Sequence, residues 1–282
     1  MAATTPPPPP SLLFFNGLLI LAFLSIPFIA LRVLFLLPPL RPPPRPRRRP
    51  GAPPNPNPQN DPAEEAEKDA ASTTIDDDAP TATRPTRLLV VLGSGGHTAE
   101  MLAMLRALAP AKFQRSWSRR TYVVSAGDAL SAERAHEYEE SLLASTKAAA
   151  DVVNVGSYDI RVVPRARRIH QSLLTTPLSA LKCLLACVSV LREPTPPDLI
   201  LTNGPGTAVI VILTALLLRF VDVGDGKGTS RIRTVYVESW ARVRRLSLSG
   251  RLLLRVVDRF VVQWEGLVEK TGGKGEFLGV LV

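Results

Sequence analysis

Four residues, Gly93, Gly95, Gly96 and His97, stand between an apolar run and a helical pattern in LLVVLGSGGHTAEML, residues 88–102. A strand that ends in a glycine turn and opens a helix aims free backbone N–H groups and the positive end of a helix dipole at one point, which suits an anion. The same residues also make a tight turn that binds nothing. Ser94, Gly95, Gly96 and Thr98 are the candidate phosphate contacts. His97, at the mouth of the turn, is a candidate base or phosphate donor. Glu100, one turn on, is spaced to orient that ring or to cap the helix start.

Dinucleotide chemistry does not fit. A G-x-G-x-x-G fingerprint needs a third glycine where this chain has Thr98, and an acid at the end of the next strand. The lysine-bearing loop of nucleotide triphosphatases is also missing from the sequence.

Three further loops repeat the pattern. In LTNGPGTAV, residues 201–209, a second strand runs into glycines before a helix, and Asn203, Gly204, Gly206 and Thr207 offer contacts or simply make a turn and cap. PRARRIHQS, residues 164–172, carries Arg165, Arg167, Arg168, His170 and Gln171; arginine forks bind phosphate bidentately, but a solvated basic loop has the same composition. In YVESWARVRRLSLSG, residues 236–250, Glu238 and Ser239 follow a strand end as a candidate base or a plain polar cap. Together the loops predict one basic cleft. Nucleic acid is a poor occupant, because the aromatic content is only 6% and does not interleave with the charge.

These loops need elements to hold them. Strands are predicted at 87–93, 121–125, 198–202, 231–237 and 259–262, with two short candidates at 151–155 and 161–163. Helices are predicted at 97–108, 131–144, 172–191 (interrupted near its start by Pro177), 207–220 and 247–257. The alternation gives an α/β fold, a single Rossmann-like doubly wound parallel sheet, with ligands bound outside the carboxyl ends of its strands. The apolar helices 172–191 and 207–220 either bury in the core or rest at a lipid interface; neither offers 18 uninterrupted apolar residues. Cys183 and Cys187 share one helix face without other metal-ligand types at ligand spacing, so they read as core residues in a reducing compartment, and no metal is expected.

The domain, residues 86–282, is preceded by a leader of different composition. Nineteen of the 27 prolines precede residue 85, and the +9 net charge belongs entirely to residues 85–282. Residues 1–10 are expected to be a short lumenal N-terminus. Ser11–Leu31 holds no charge and is long enough for a hydrocarbon core of about 30 Å, which predicts an N-terminal transmembrane anchor over 11–37. Arg32, Arg41, Arg45, Arg47, Arg48 and Arg49 come after the run and no basic residue precedes it, which keeps the domain cytosolic. Residues 38–85, rich in Arg and Pro and then acidic, read as a disordered tether.

LGSGGHTAEM, PRARRIHQS, LTNGPGT and YVESWARVRRLSLSG, then DRFVVQWE and GEFLGVLV, stand in an order that resembles one family. It is the membrane-anchoring subunit of the two-chain N-acetylglucosaminyltransferase that makes the second sugar step of dolichol-linked oligosaccharide. The resemblance covers roughly residues 86–282 and implies the amino-terminal half of a GT-B glycosyltransferase on the cytosolic face of the endoplasmic reticulum. It further implies a soluble donor-binding partner that holds UDP-GlcNAc, and β1,4 transfer with inversion to GlcNAc-diphosphodolichol. No cofactor is expected on this chain. Gly95, Gly96 and His97 match the acceptor-side loop of the related bacterial lipid-linked transferase. Val209-Ile210 departs from the family pattern, where a proline is common.

One Rossmann half cannot hold both substrates, so the donor half belongs to another chain. The uncharged end Phe277, Leu278, Val280, Leu281 and Val282 suits packing against that partner, or a terminal strand or helix docked on its own sheet. Three functions compete: an acceptor-binding subunit whose His97 or Glu238 assists deprotonation, a scaffold outside the chemistry, and a membrane-bound oxidoreductase, which the broken fingerprint disfavours.

Overall fold

The computed structural model describes residues 86–148, 156–167, 171–172, 174–193, 195–221 and 232–282, with Ser25 and Ile29 besides. The anchor at 11–37, the tether at 38–85, the strand candidate at 151–155, and Arg168 and His170 lie outside the described residues apart from those two positions. Among the described residues no helix is long and apolar enough to cross a membrane.

The chain runs β1 (Arg87–Val91), α1 (Gly96–Arg106), α2 (Pro110–Ser116), β2 (Arg119–Ser125), α3 (Ala129–Ala148), β3 (Ser157–Val163) and α4 (Thr176–Arg192). It continues through β4 (Leu199–Asn203), α5 (Thr207–Val221), β5 (Arg233–Val237), α6 (Leu248–Leu253), β6 (Arg259–Val262) and β7 (Gly275–Phe277). The strands form one parallel sheet in the order β3-β2-β1-β4-β5-β6-β7. The order reverses between β1 and β4, the point at which such sheets open a crevice at their carboxyl edge. Val91 pairs with both Val123 and Thr202, and Asn203 pairs with Val237, so the ends of the four central strands line up in register.

Alternation along the strands serves two cores. Leu89, Val91, Val123, Ile200 and Val262 pack on one face with Cys183, Cys187, Ala208, Val211 and Leu253 from α4, α5 and α6. Leu88, Val90, Leu92, Tyr122 and Val124 pack on the other with Met101, Leu102, Phe113 and Tyr138 from α1, α2 and α3. The two cysteines are free and buried, the core positions expected of them.

Two charged groups inside the fold depend on fixed partners. Arg120 donates from Nε and Nη2 to the Glu139 carboxylate at 2.7 and 2.8 Å, and Tyr122 Oη donates to the same group at 2.6 Å. Burial and the neighbouring Glu139 charge push the Tyr122 phenol well above its ordinary value, so it remains a donor. Arg87, also buried, donates to the backbone oxygens of Val190 and Thr195 and thereby ties the end of α4 to the start of β1. Burial lowers the affinity of that guanidinium for its proton.

Several elements differ from expectation. β3 is one seven-residue strand rather than the fragment at 161–163; it is an edge strand with mostly exposed or half-buried side chains, so it lacks the apolar run of a central strand. α2 was not expected, and β7 is the terminal strand docked on its own sheet that stood as the alternative to partner packing for the uncharged end. α4 starts at Thr176, which puts Pro177 in the first turn, where a missing N–H is harmless, instead of inside the helix. The helix expected at 247–257 ends at Leu253.

Candidate functional site

β1 ends at Val91, and Gly93 to Gly95 turn the chain into α1, with Gly95 at φ 63° as the residue before the helix. Thr98 is buried; its hydroxyl bonds the backbone oxygen of Gly93 and lies 2.7 Å from Ser131 Oγ. Thr98 therefore staples the glycine turn shut and is not presented to a ligand.

The second turn lies after β4. Asn203, almost fully buried, donates from Nδ2 to the backbone oxygen of His97 at 3.0 Å and to Glu100 Oε2 at 3.3 Å. Glu100 Oε1 accepts from Ser239 Oγ at 2.8 Å. Glu100 thus joins the loops after β1, β4 and β5.

His97 sits where the two glycine turns meet. A Cβ built on Gly93 would come within 2.7 Å of His97 Cβ, and one on Gly204 within 3.0 Å of the ring Cγ. Only glycine at both positions lets the imidazole occupy this space, and Gly204 also takes φ 90°. His97 Nδ1 is buried without a hydrogen-bond partner, 3.8 Å from Glu100 Oε2, while 30% of the side chain remains exposed. Asn203 Oδ1 is a second buried acceptor with no partner. Buried polar atoms are normally paired, so these two unpaired atoms make this spot a candidate contact point for a ligand.

A cleft of about 700 Å³ opens beside these turns along the carboxyl edge. Ser94, Asn203, Gly206 and Thr207 line it, with Ser125 from the end of β2, whose Oγ lies 2.8 Å from Thr207 Oγ1. Arg165 and Arg167 enter from the loop after β3, and Arg242 from the loop after β5. Arg165 Nε donates to the backbone oxygen of Ala126 at 2.9 Å, and Arg167 Nη2 to that of Gln171 at 3.0 Å, so both forks are aimed by the backbone. Among the described residues no carboxylate lines the cleft, and three guanidinium groups there can attract an anion.

The remaining expected site residues stand outside that lining. Gly95, Gly96, Gly204 and His97 form the two turns behind it. Gln171 reaches Thr175 and Ser179 at the start of α4. Glu238 is fully buried; Oε2 accepts from Ser247 N at 3.0 Å and Ser247 Oγ at 3.1 Å, and Oε1 from Ser239 N at 3.3 Å. A Cβ on Gly250 would fall 2.1 Å from Glu238 Oε2. Glu238 organises the β5–α6 loop, and the structure does not bring its carboxylate to the cleft surface. Among the described residues no group of His, Cys, Asp and Glu could hold a metal ion.

A family model described as "Oligosaccharide biosynthesis protein Alg14 like" matches residues 88–281, which contain every residue of the cleft and both turns. The chain belongs to this family. Among curated Alg14 proteins, the UDP-N-acetylglucosamine transferase subunit alg14 of Aspergillus fumigatus is 40% identical over 230 residues, covering 64% of this chain and 100% of that protein. The subunit of the same name from Schizosaccharomyces pombe is 42% identical over 69% of this chain and 82% of that protein. The one from Mus musculus is 38% identical over 70% of this chain and 83% of that protein.

The cleft also has contributors that were missed in the sequence, Arg242 and Ser125 among them. Arg242 lies in a loop whose Glu238 and Ser239 drew attention; the cue was its place five residues past a strand end, beside the other arginines. Ser125, the last residue of β2, carried no cue beyond its position at the carboxyl edge.

The uncharged end also has a definite place. Gly275–Phe277 adds β7 beside β6, and Arg259 pairs with Glu276 across the two strands. Leu281 N donates to Gln263 Oε1 at 3.2 Å, while Phe277, Leu278, Val280 and Val282 remain substantially exposed.

Proposed function

We propose that this Alg14-family chain is the membrane-anchoring, acceptor-binding subunit of a UDP-GlcNAc transferase, and that the enzyme adds the second GlcNAc to GlcNAc-diphosphodolichol in N-glycan precursor synthesis. The observation that carries the reading is the cleft itself: three arginines, two glycine turns and, among the described residues, no carboxylate at the switch point of a single Rossmann-like sheet. Such a cleft suits a diphosphate, and one sheet supplies one substrate site.

In this reading Arg165, Arg167 and Arg242 hold the lipid diphosphate, with Ser94, Asn203 and Thr207 as polar contacts. His97 takes the proton from the acceptor 4-hydroxyl as that oxygen bonds to the anomeric carbon of the donor. The bond from that carbon to UDP breaks, the configuration inverts, and UDP leaves on the partner. Glu100, 3.8 Å from His97 Nδ1 and fixed by Asn203 and Ser239, is a positioning residue for the ring. His97 serves this role better than Glu238, whose oxygens are engaged by its own loop.

UDP-GlcNAc binds a soluble catalytic partner, which docks against Phe277, Leu278, Val280, Leu281 and Val282 beside the edge strand β7; neither a metal nor a cofactor is assigned to this chain. The apolar run at 11–37 anchors it in the endoplasmic reticulum membrane, and the arginines just beyond that run hold the domain on the cytosolic side. Calorimetry with a short-chain GlcNAc-diphosphate lipid tests the assignment. The chain without its partner binds that lipid and not UDP-GlcNAc; the reverse preference contradicts the assignment.

A further inference from the structure

The two faces of the sheet carry helices of opposite character. On α4, Leu178, Leu181 and Leu185 are 59%, 52% and 61% exposed, and helical spacing puts them directly opposite the buried Cys183 and Cys187. On α5, Leu213 and Leu217 lie one turn apart, exposed, opposite the buried Val211 and Ala215. On α6, Leu248 and Leu252 are 74% and 57% exposed. These helices pack side by side against the same core. Neither α4, α5 nor α6 contains an acidic residue.

Basic groups border the leucines. Lys182 and Arg192 are exposed on α4. Beyond α6, Arg245, Arg251, Arg255 and Lys270 surround a second hollow of about 470 Å³ that is separate from the main cleft and has no carboxylate in its lining among the described residues. α6 is shared: Leu248 lines the main cleft, and Arg251 lines the hollow. The opposite side of the molecule is different, since α3 exposes Glu133, Glu137 and Glu140.

We infer that the α4–α5–α6 face of the globular domain rests on an anionic lipid surface, with its leucines at the acyl boundary and the hollow at Arg245, Arg251, Arg255 and Lys270 receiving headgroup phosphates. Exposed leucines on three adjacent helices form the kind of contiguous patch that soluble surfaces avoid. The charge around them selects the occupant: the three helices carry no acid, and although exposed Glu193 and Glu269 adjoin Arg192 and Lys270, the cations Lys182, Arg192, Arg245, Arg251, Arg255 and Lys270 outnumber them, which complements an anionic bilayer. The contact would orient the domain so that Leu248 lies between the membrane and the main cleft. It is additional to any anchor supplied by residues 11–37, and it stands whether or not the cleft binds a lipid diphosphate.

The test uses the full chain reconstituted in vesicles of phosphatidylcholine and phosphatidylserine, with a nitroxide at Leu181→Cys, Leu217→Cys or Leu252→Cys, and at Glu137→Cys as the opposite-face control. The native cysteines are buried, so labelling reports the introduced thiol. Collision with oxygen and with a water-soluble nickel complex is then measured. The inference expects the three leucine sites to be open to oxygen and shielded from nickel, with Glu137→Cys open to nickel, and expects shielding to fall when phosphatidylserine is omitted. Nickel access at the leucine sites equal to that at residue 137 would overturn it. So would shielding from both reagents, which would place protein over this face. GlcNAc transfer measured with the partner on the same vesicles reports separately on the proposed activity.

Discussion

The imidazole of His97 lies against Gly204: a side chain at residue 204 would meet the ring Cγ at 3.0 Å. The glycine turn after β4 therefore sets the position of a histidine that belongs to the turn after β1. The two turns act as one unit, and Asn203 locks them together through the backbone oxygen of His97.

Gly204→Ala should separate position from chemistry. The substitution forces a side chain at φ 90° and displaces the ring, at a cost of about 1–3 kcal/mol. Thermal unfolding should show that loss, and transfer by the assembled enzyme should fall at least as far as in His97→Ala. Normal activity in Gly204→Ala would show that the ring's location is irrelevant.

The arginines are expected to act through binding. Arg242→Ala and Arg165→Ala each remove a charged donor worth about 1.5–3 kcal/mol, so acceptor KM should rise roughly 10- to 150-fold. UDP-GlcNAc KM should stay unchanged. Arg242→Lys should recover only part of the loss, because an ammonium cannot fork. Steady-state kinetics in both substrates checks this.

Glu238 is expected to behave as a loop organiser. Glu238→Gln keeps the shape but weakens the acceptors for Ser239 N and Ser247 N, and should lower stability by about 1–3 kcal/mol. Gly250→Ala, which crowds the same carboxylate, should reproduce its effects. A large fall in kcat for Glu238→Gln, with unfolding unchanged, would reassign the base.

Glu139→Ala leaves Arg120 buried without its carboxylate partner and should destabilise the fold by about 3–5 kcal/mol. Replacing both residues with apolar ones should recover much of that loss. Urea unfolding of the single and double variants measures the difference.

The central strands and the glycine turns were legible because their signals are local. Leu88–Leu92 reads as a buried strand wherever it is placed, and Gly93 to His97 announce a turn and a helix start. The sheet edges were not legible. β3 is polar enough to look like a loop between short fragments, and β7 has three residues, too few for a pattern. At the site, the arginine loop was visible as composition, but the fate of each polar group was not. Thr98 and Glu238 are residue types that bind ligands, and only tertiary neighbours show their oxygens engaged by Gly93, Ser131 and Ser247. The contact between His97 and Gly204 joins residues more than 100 positions apart, beyond the reach of spacing arguments.

The most direct test is GlcNAc transfer from UDP-GlcNAc to a short-chain GlcNAc-diphosphate lipid, measured with this chain alone, with a soluble donor-binding partner alone, and with both. The account predicts product only in the mixture, with His97→Ala reducing the rate while the partner still co-purifies with the chain. Transfer by this chain alone would contradict it, because one Rossmann-like sheet would then be holding both substrates.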